Sequence, residues 1–288
     1  MRSPKNVLES LTSKAASKDY HYQRLYRNLY NPAFFLLAYE RIQAKPGNMT
    51  AGSDGKTIDG MSMKRIEVLI QKLKGFSYQP KPARRTYIPK ATGKTRPLGI
   101  PSFDDKLVQE VVRMILESIY EPTFHVTSHG FRPKRSCHTA LQYIKRNYTG
   151  VKWFVEGDIK GCFDNVDHHV LVQILRRRIA DEHFIGLIWK FLKAGYMENW
   201  VYYNTYSGTP QGSLISPILA NIYLNELDVF MAEYAKSFNR GTKRKINPAY
   251  KKPLDVRRGK QEWLKRNEAK ITKFLRASPP VGSGRRAD

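Results

Sequence analysis

The sequence predicts an α/β fold, and three observations carry that prediction. Between about residues 61 and 235, helix-like and strand-like patterns alternate with no long linker. Hydrophobic residues make up 41% and charged residues 26% of the 288, a globular balance in a chain long enough to bury one large or two ordinary cores. Strand-turn-strand patterns, one around Ile88 to Pro97 and one over Tyr196 to Tyr206, stand among the helical stretches.

Residues 1–50 are basic and aromatic, with Tyr20, Tyr22, Tyr26, Leu29 and Tyr30 interleaved with Arg24 and Arg27, and read as an RNA-facing extension. Residues 51–60 carry three glycines and read as a loop. Ile88-Pro89-Lys90, followed by Lys94, Arg96 and Pro97, forms a basic hairpin whose cations could clamp a triphosphate, or equally a solvated hairpin. Over 104–120, Leu107, Val108, Val111, Val112, Ile115 and Ile119 share one helical face, with Asp104 or Asp105 able to cap and Pro122 ending the helix. Trp153 to Asp158 reads as a short buried strand running into a tight turn. Helices follow over 170–179, with Asp167 as N-cap, and over 181–194. Tyr196 to Tyr206 suits a hairpin, and Ser213 to Tyr234 a long helix that tolerates Pro217 near its start. The segment 236–288 holds 17 Lys and Arg against four acids and is expected to be flexible. The boundaries are therefore 1–50, 51–150, 151–235 and 236–288.

The formal charge of +25 is most easily tolerated when a polyanion neutralises it, so nucleic acid is the leading partner. No apolar run approaches the roughly 18–20 residues of a spanning helix, and Met1 to Lys18 lacks the apolar stretch of a secretory signal. Cys137 and Cys162 form neither a metal-spaced cluster nor a disulfide framework and read as small buried thiols. His129 and His138 have no third ligand nearby and are not read as a metal site.

Two further stretches bear on chemistry. Asp158, in Gly157-Asp158-Ile159-Lys160-Gly161-Cys162-Phe163-Asp164, places a carboxylate at a strand end, suited to a hard divalent cation but equally to a cap or turn. Gly208-Thr209-Pro210-Gln211-Gly212-Ser213 opens a helix with amides that could approach a phosphate, though such loops are common before helices.

The order of these blocks resembles that of reverse transcriptases. Ser128-His129-Gly130-Phe131-Arg132-Pro133-Lys134-Arg135-Ser136-Cys137-His138-Thr139-Ala140-Leu141 and the run from Gly208 to Leu224 resemble blocks of group II intron-encoded reverse transcriptase/maturase proteins, and the resemblance covers about 20–235. It implies a right-hand polymerase fold: a basic N-terminal extension (1–50), fingers (51–150), the first half of a palm (151–235) with an antiparallel sheet backed by helices, and a basic insertion (236–288). It implies an RNA-directed DNA polymerase that binds its intron RNA and assists splicing. Asp158 would be the first metal-binding aspartate, with the Ile159 carbonyl as a further ligand, in a centre that holds two Mg²⁺ ions in the complete enzyme. Phe163 would exclude a 2′-hydroxyl, Lys90 and Arg96 would contact the triphosphate, and Gln211 and Gly212 would lie near the nascent base pair. Asp164 would be a turn residue. Arg24, Arg27, Lys243, Arg244 and Lys245 would hold RNA.

The partners so implied are group II intron RNA, an RNA template with a DNA primer, and dNTP, with no membrane; a homodimer stays open. The expected location is the cytoplasm of a bacterial or organellar host, on the intron ribonucleoprotein. The sequence departs from the family in containing no Tyr-Ala-Asp-Asp turn and in ending inside what looks like the basic insertion. The chain is therefore expected to be catalytically incomplete alone. An RNA-binding splicing module without catalysis, or a retron-type enzyme, are the alternatives; the 128–141 block argues against the second.

Overall fold

A computed structural model of the chain describes residues 2–89, 93–149, 151, 154–209, 212–239 and 247–277, in two compact units, Met1–Tyr234 and Ala235–Asp288. In the first unit, α1 (Pro4–Lys14) and α2 (Pro32–Gln43) pack on α4 (Phe103–Tyr120), and α3 (Met63–Lys74) packs on α2. The expected stripe of α4 is fully buried, from Leu107 through Ile119. Its other side is inside too, and carries Gln109 and Glu110. A buried carboxylate needs a partner, and Glu110 accepts from Arg113 at 2.7 and 2.8 Å.

The N-cap of α4 is Ser102 rather than Asp104 or Asp105. The backbone of Ser102 is extended after Pro101, so its Oγ can accept from the Asp105 amide at 3.2 Å. Asp105 instead turns inward and accepts from the Tyr78 hydroxyl, the Ser102 hydroxyl (2.7 Å) and the Lys81 amide (2.9 Å). Burial pushes its carboxyl above the usual range.

The expected hairpins form. β1 (Ala83–Pro89) and β2 (Thr95–Ile100) pair antiparallel, with Ile88 opposite Arg96. After α5 (Cys137–Asn147) come α6 (His168–Arg176), capped by Asp167, and α7 (Glu182–Leu192), capped by Asp181. β3 (Tyr196–Glu198) and β4 (Val201–Tyr203) make the second antiparallel pair. A short parallel contact, Ala83 to Tyr196 and Arg84 to Met197, joins the pairs into one sheet ordered β2-β1-β3-β4. α8 (Ser216–Phe238) buries Ile218, Leu219, Ala220 and Ile222 in its first turns.

Three further sequence expectations differ from the structure. Residues 154–158 form no strand, and Phe154 and Val155 are 76% and 93% exposed. A strand is held by inter-strand hydrogen bonds, and among the described residues no segment pairs with this one. The aromatic N-terminal segment is core rather than an RNA-facing ladder. Tyr22, Leu25, Tyr26 and Leu29 are buried, and the Tyr22 and Tyr26 hydroxyls donate to the carbonyls of Leu11 (2.8 Å) and Leu73 (3.0 Å). Burial pushes the Tyr26 hydroxyl up to about 12. Tyr22 also exchanges backbone hydrogen bonds with Arg178 and Ala180, which ties the segment to the chain between α6 and α7. Cys137 is exposed and Cys162 half-buried, so neither is the buried thiol expected.

In the second unit, α9 (Pro248–Ala277) is a 30-residue helix within the stretch expected to be flexible. Among the described residues no helix is long and apolar enough to cross a membrane.

Candidate functional site

The segments 207–209 and 212–214, described on either side of 210–211 and together called the 207–214 loop, are where the separate sequence blocks converge. On one side the loop is clamped to the turn that follows Asp158. Gly161, at φ +59°, lets the chain reverse, and its carbonyl accepts from the amides of Asp164 (2.9 Å) and Asn165 (3.0 Å). The Phe163 carbonyl then accepts from the Thr209 amide at 2.7 Å, and the Val166 carbonyl from the Gly208 amide at 2.8 Å. The Ser207 hydroxyl donates to the Asp164 carbonyl at 3.0 Å.

Buried His168 completes this clamp. Its Nε2 lies 2.6 Å from the Gly208 carbonyl, an acceptor, which requires the ring proton on Nε2. The backbones are so close that a Cβ on Gly208 would stand 2.7 Å from backbone atoms of Phe163 and Asp164.

On its other side the loop meets β2 and α4. A Cβ on Gly212 would collide with the Gly99 carbonyl and stand 2.9 Å from Leu98 Cδ1. Just beyond, the side-chain carbonyl of buried Gln109 accepts from the Ser213 hydroxyl and the Leu214 amide, both at 3.0 Å. A cavity of about 290 Å³ opens at this junction, its lining including Arg85, Gly99, Asp164, Tyr196, Ser207 and Thr209. Among the described residues the buried Thr209 hydroxyl has no hydrogen-bond partner.

Of the residues singled out by sequence, Phe163 and Gly212 lie in this assembly, and Arg96 stands exposed on β2, the strand against which Gly212 is packed. Phe163 is half-buried, in a T-shaped contact with the Phe131 ring at 5.9 Å. Asp158 and Ile159 are exposed on the coil before the Gly161 turn. The Asp158 charge is near enough to Cys162 to add to the upward push that burial gives that thiol. Asp164 serves as the turn residue expected, its amide bonded within the turn and its carbonyl to Ser207. Arg24 and Arg27 are exposed beside the buried tyrosines. Lys90, Gln211, Lys243, Arg244 and Lys245 lie outside the described residues. His129 holds the Thr139 hydroxyl at 2.9 Å through Nδ1, and among the described residues no group of three His, Cys, Asp or Glu could hold a metal ion.

Sequence reasoning missed His168, Gln109 and Phe131. His168 had a signal: with Leu171, Val172 and Leu175 it completes an i, i+3, i+4, i+7 stripe, so helical periodicity places a polar ring on a buried face. Gln109 and Phe131 gave none.

A family model described as "Reverse transcriptase (RNA-dependent DNA polymerase)" matches residues 88–243, which contain all three converging blocks. The chain is 52% identical over 247 residues to the "Group II intron-encoded protein LtrA" of Lactococcus lactis subsp. cremoris, covering 85% of this chain and 41% of that protein. It is 48% identical over 241 residues to the "Uncharacterized 91 kDa protein in cob intron" of Schizosaccharomyces pombe, 82% of this chain and 30% of that one. Protein YkfC of Escherichia coli is 41% identical over 219 residues, 73% of this chain and 58% of YkfC. The chain thus spans between about a third and three fifths of the length of these relatives.

Proposed function

From the premise that this chain belongs to the reverse transcriptase family, we propose that it is the nucleotide-gripping part of a group II intron-encoded RNA-directed DNA polymerase. The observation that carries the reading is the clamp of the 207–214 loop between Phe163 and His168 on one side and Gly99 on the other. It joins the backbone of Phe163, the strand that carries Arg96 and a helix-opening glycine loop, an arrangement suited to holding a nucleoside triphosphate against a template.

In this reading Arg96, with Lys90, takes the triphosphate, and Gln211 and Gly212 border the nascent base pair. The Phe163 ring, its backbone fixed by Thr209 and itself in T-shaped contact with Phe131, fills the space a 2′-hydroxyl would need. Divalent cations activate the attacking hydroxyl and stabilise the leaving oxygen in such reactions. Exposed Asp158, with the Ile159 carbonyl, could hold one Mg²⁺ bridged to a triphosphate; the described residues do not make a two-ion centre. The domain roles follow: fingers over 51–150, the first part of a palm over 151–235, and flanking basic segments at 1–50 and 236–288.

A second role, binding intron RNA to assist splicing, is favoured by α9. Lys251, Lys252, Arg257, Arg258 and Lys265 are all exposed along it, and the acids of the helix, Asp255, Glu262 and Glu268, are fewer than its cations. RNA template, DNA primer, dNTP and intron RNA are the partners proposed, on an intron ribonucleoprotein in the cytoplasm or organelle of the host.

The test is nucleotide selection. Titration of the chain with fluorescent dNTP and rNTP in Mg²⁺ should show a preference for dNTP. Phe163→Val should reduce that preference while Arg96→Ala weakens both ligands alike. Equal affinity for dNTP and rNTP in the unaltered chain, or selectivity untouched by Phe163→Val, overturns the assignment.

A further inference from the structure

The N-terminal tyrosines are core, yet the chain does expose a set of aromatic rings. Trp200 is 92% and Tyr206 86% exposed, and Tyr202 and Tyr203 are nearly half exposed. All four lie on or just after the β3–β4 hairpin. Beneath them the sheet is stiffened: Tyr196 stacks on Tyr203 at 5.1 Å, the Arg85 guanidinium lies 3.6 Å over the Tyr196 ring, and the Tyr87 hydroxyl donates to Glu198 at 2.6 Å.

The tip of this hairpin runs against local preference. Its two turn residues, Asn199 (φ +50°) and Trp200 (φ +66°), are both left-handed. Two-residue hairpins of this kind favour Asn followed by Gly, because a side chain at the second position meets its own backbone. Asn199 conforms. Trp200 stands where glycine would be unstrained, and at 92% exposure its ring gains almost no burial in return. Among the described residues nothing covers the ring to offset this strain.

We propose that the β3–β4 hairpin, with Trp200 at its tip, is a stacking platform for unpaired bases of single-stranded RNA. The inference rests on the reading of the chain as one that takes an RNA template, and deepens it by naming where the unpaired strand is received. Flat aromatic rings on a chain of charge +25 suit a ligand that offers π-faces and phosphates together. Only three residues separate Tyr203 from Ser207, four steps or at most about 14 Å of chain, and Tyr196 and Tyr206 themselves line the cavity at the converging blocks, so the platform stands close to it. Stacking accepts any base, as a template requires.

The experiment titrates the 288-residue chain with a fluorescently labelled, unstructured 15-nucleotide single-stranded RNA and with the duplex of the same sequence. Trp200→Gly should lower affinity for the single strand about 5- to 150-fold. Duplex affinity, and the salt dependence of both, should be nearly unchanged, because no phosphate contact is lost. The same variant should raise the thermal midpoint by relieving the left-handed strain, so weaker binding cannot be ascribed to misfolding. Trp200→Phe should retain most of the single-strand affinity. Unchanged single-strand affinity in Trp200→Gly, an equal loss for strand and duplex, or loss of self-association of the chain in their place overturns the proposal. Failure here leaves dNTP selection by Phe163 intact, whereas failure of the polymerase reading abolishes that selection.

Discussion

Gly208→Ala is the sharpest perturbation of the converging loop. Gly208 has φ +83°, and the added methyl would stand 2.7 Å from the Asp164 Cα, the Asp164 carbonyl oxygen and the Phe163 carbonyl oxygen. All three are backbone atoms, so no rotamer change relieves the overlap. Ordinary contact begins at 3.4 Å, so the loop must withdraw by at least 3.4 − 2.7 = 0.7 Å. Such a movement takes the 2.8 Å bond from the Gly208 amide to Val166, and the 2.7 Å bond from the Thr209 amide to Phe163, to the edge of hydrogen-bonding range. Each is worth about 1 kcal/mol net, and a left-handed alanine adds about 1–2 kcal/mol, for a total loss of about 3–4 kcal/mol. Gly55→Ala isolates the second contribution: Gly55 has φ +70° and nothing within 4 Å of an added Cβ, so it should lose only about 1–2 kcal/mol. Urea unfolding of both variants measures the difference, and a dNTP titration should show weakened binding for Gly208→Ala alone. Equal destabilisation by the two substitutions would refute the clamp.

Three other outcomes are expected. The 288-residue chain with Mg²⁺, primer, RNA template and dNTPs should not extend the primer, because it contains Asp158 but no paired-aspartate turn; template-dependent cDNA synthesis that Asp158→Ala abolishes would contradict this. Replacing Lys243, Arg244 and Lys245 by Ala should weaken intron RNA binding and make its log–log salt slope shallower by up to about two to three, and an unaltered slope would remove these cations from the RNA contact. Burial holds the Asp105 carboxyl above the ordinary aspartate value of about 3.9. Its contribution to stability is therefore complete below that value and lost as pH rises through the higher folded value. Relative to Asp105→Asn, the unaltered chain should gain stability as pH falls from about 7 to about 4, and urea midpoints drifting the other way would show that the carboxylate is favoured by folding.

What the sequence determined by itself was local and periodic. The apolar spacing of α4, the Asp167 cap, the two hairpins and the order of the chemistry-bearing blocks can be read along the chain, because a helix stripe, a cap and a turn depend on residues a few positions apart. Tertiary structure decided which of these features face inward and which meet. Tyr22 and Tyr26 interleave with arginines just as a nucleic-acid ladder would, and their burial depends on packing partners more than 150 residues away, at Arg178 and Asp181. The segment 154–158 has the composition of a strand, but strand formation needs a neighbour, and none of the described segments supplies one. Trp200 reads in sequence as one more aromatic of a hairpin; its left-handed backbone and bare ring emerge only when the turn is built. The same holds for His168 and Gln109, whose acceptor and donors lie 40 and 104 or more residues away on the 207–214 loop. A hydrogen bond across that separation leaves no periodic trace, and only the packed chain brings its ends together.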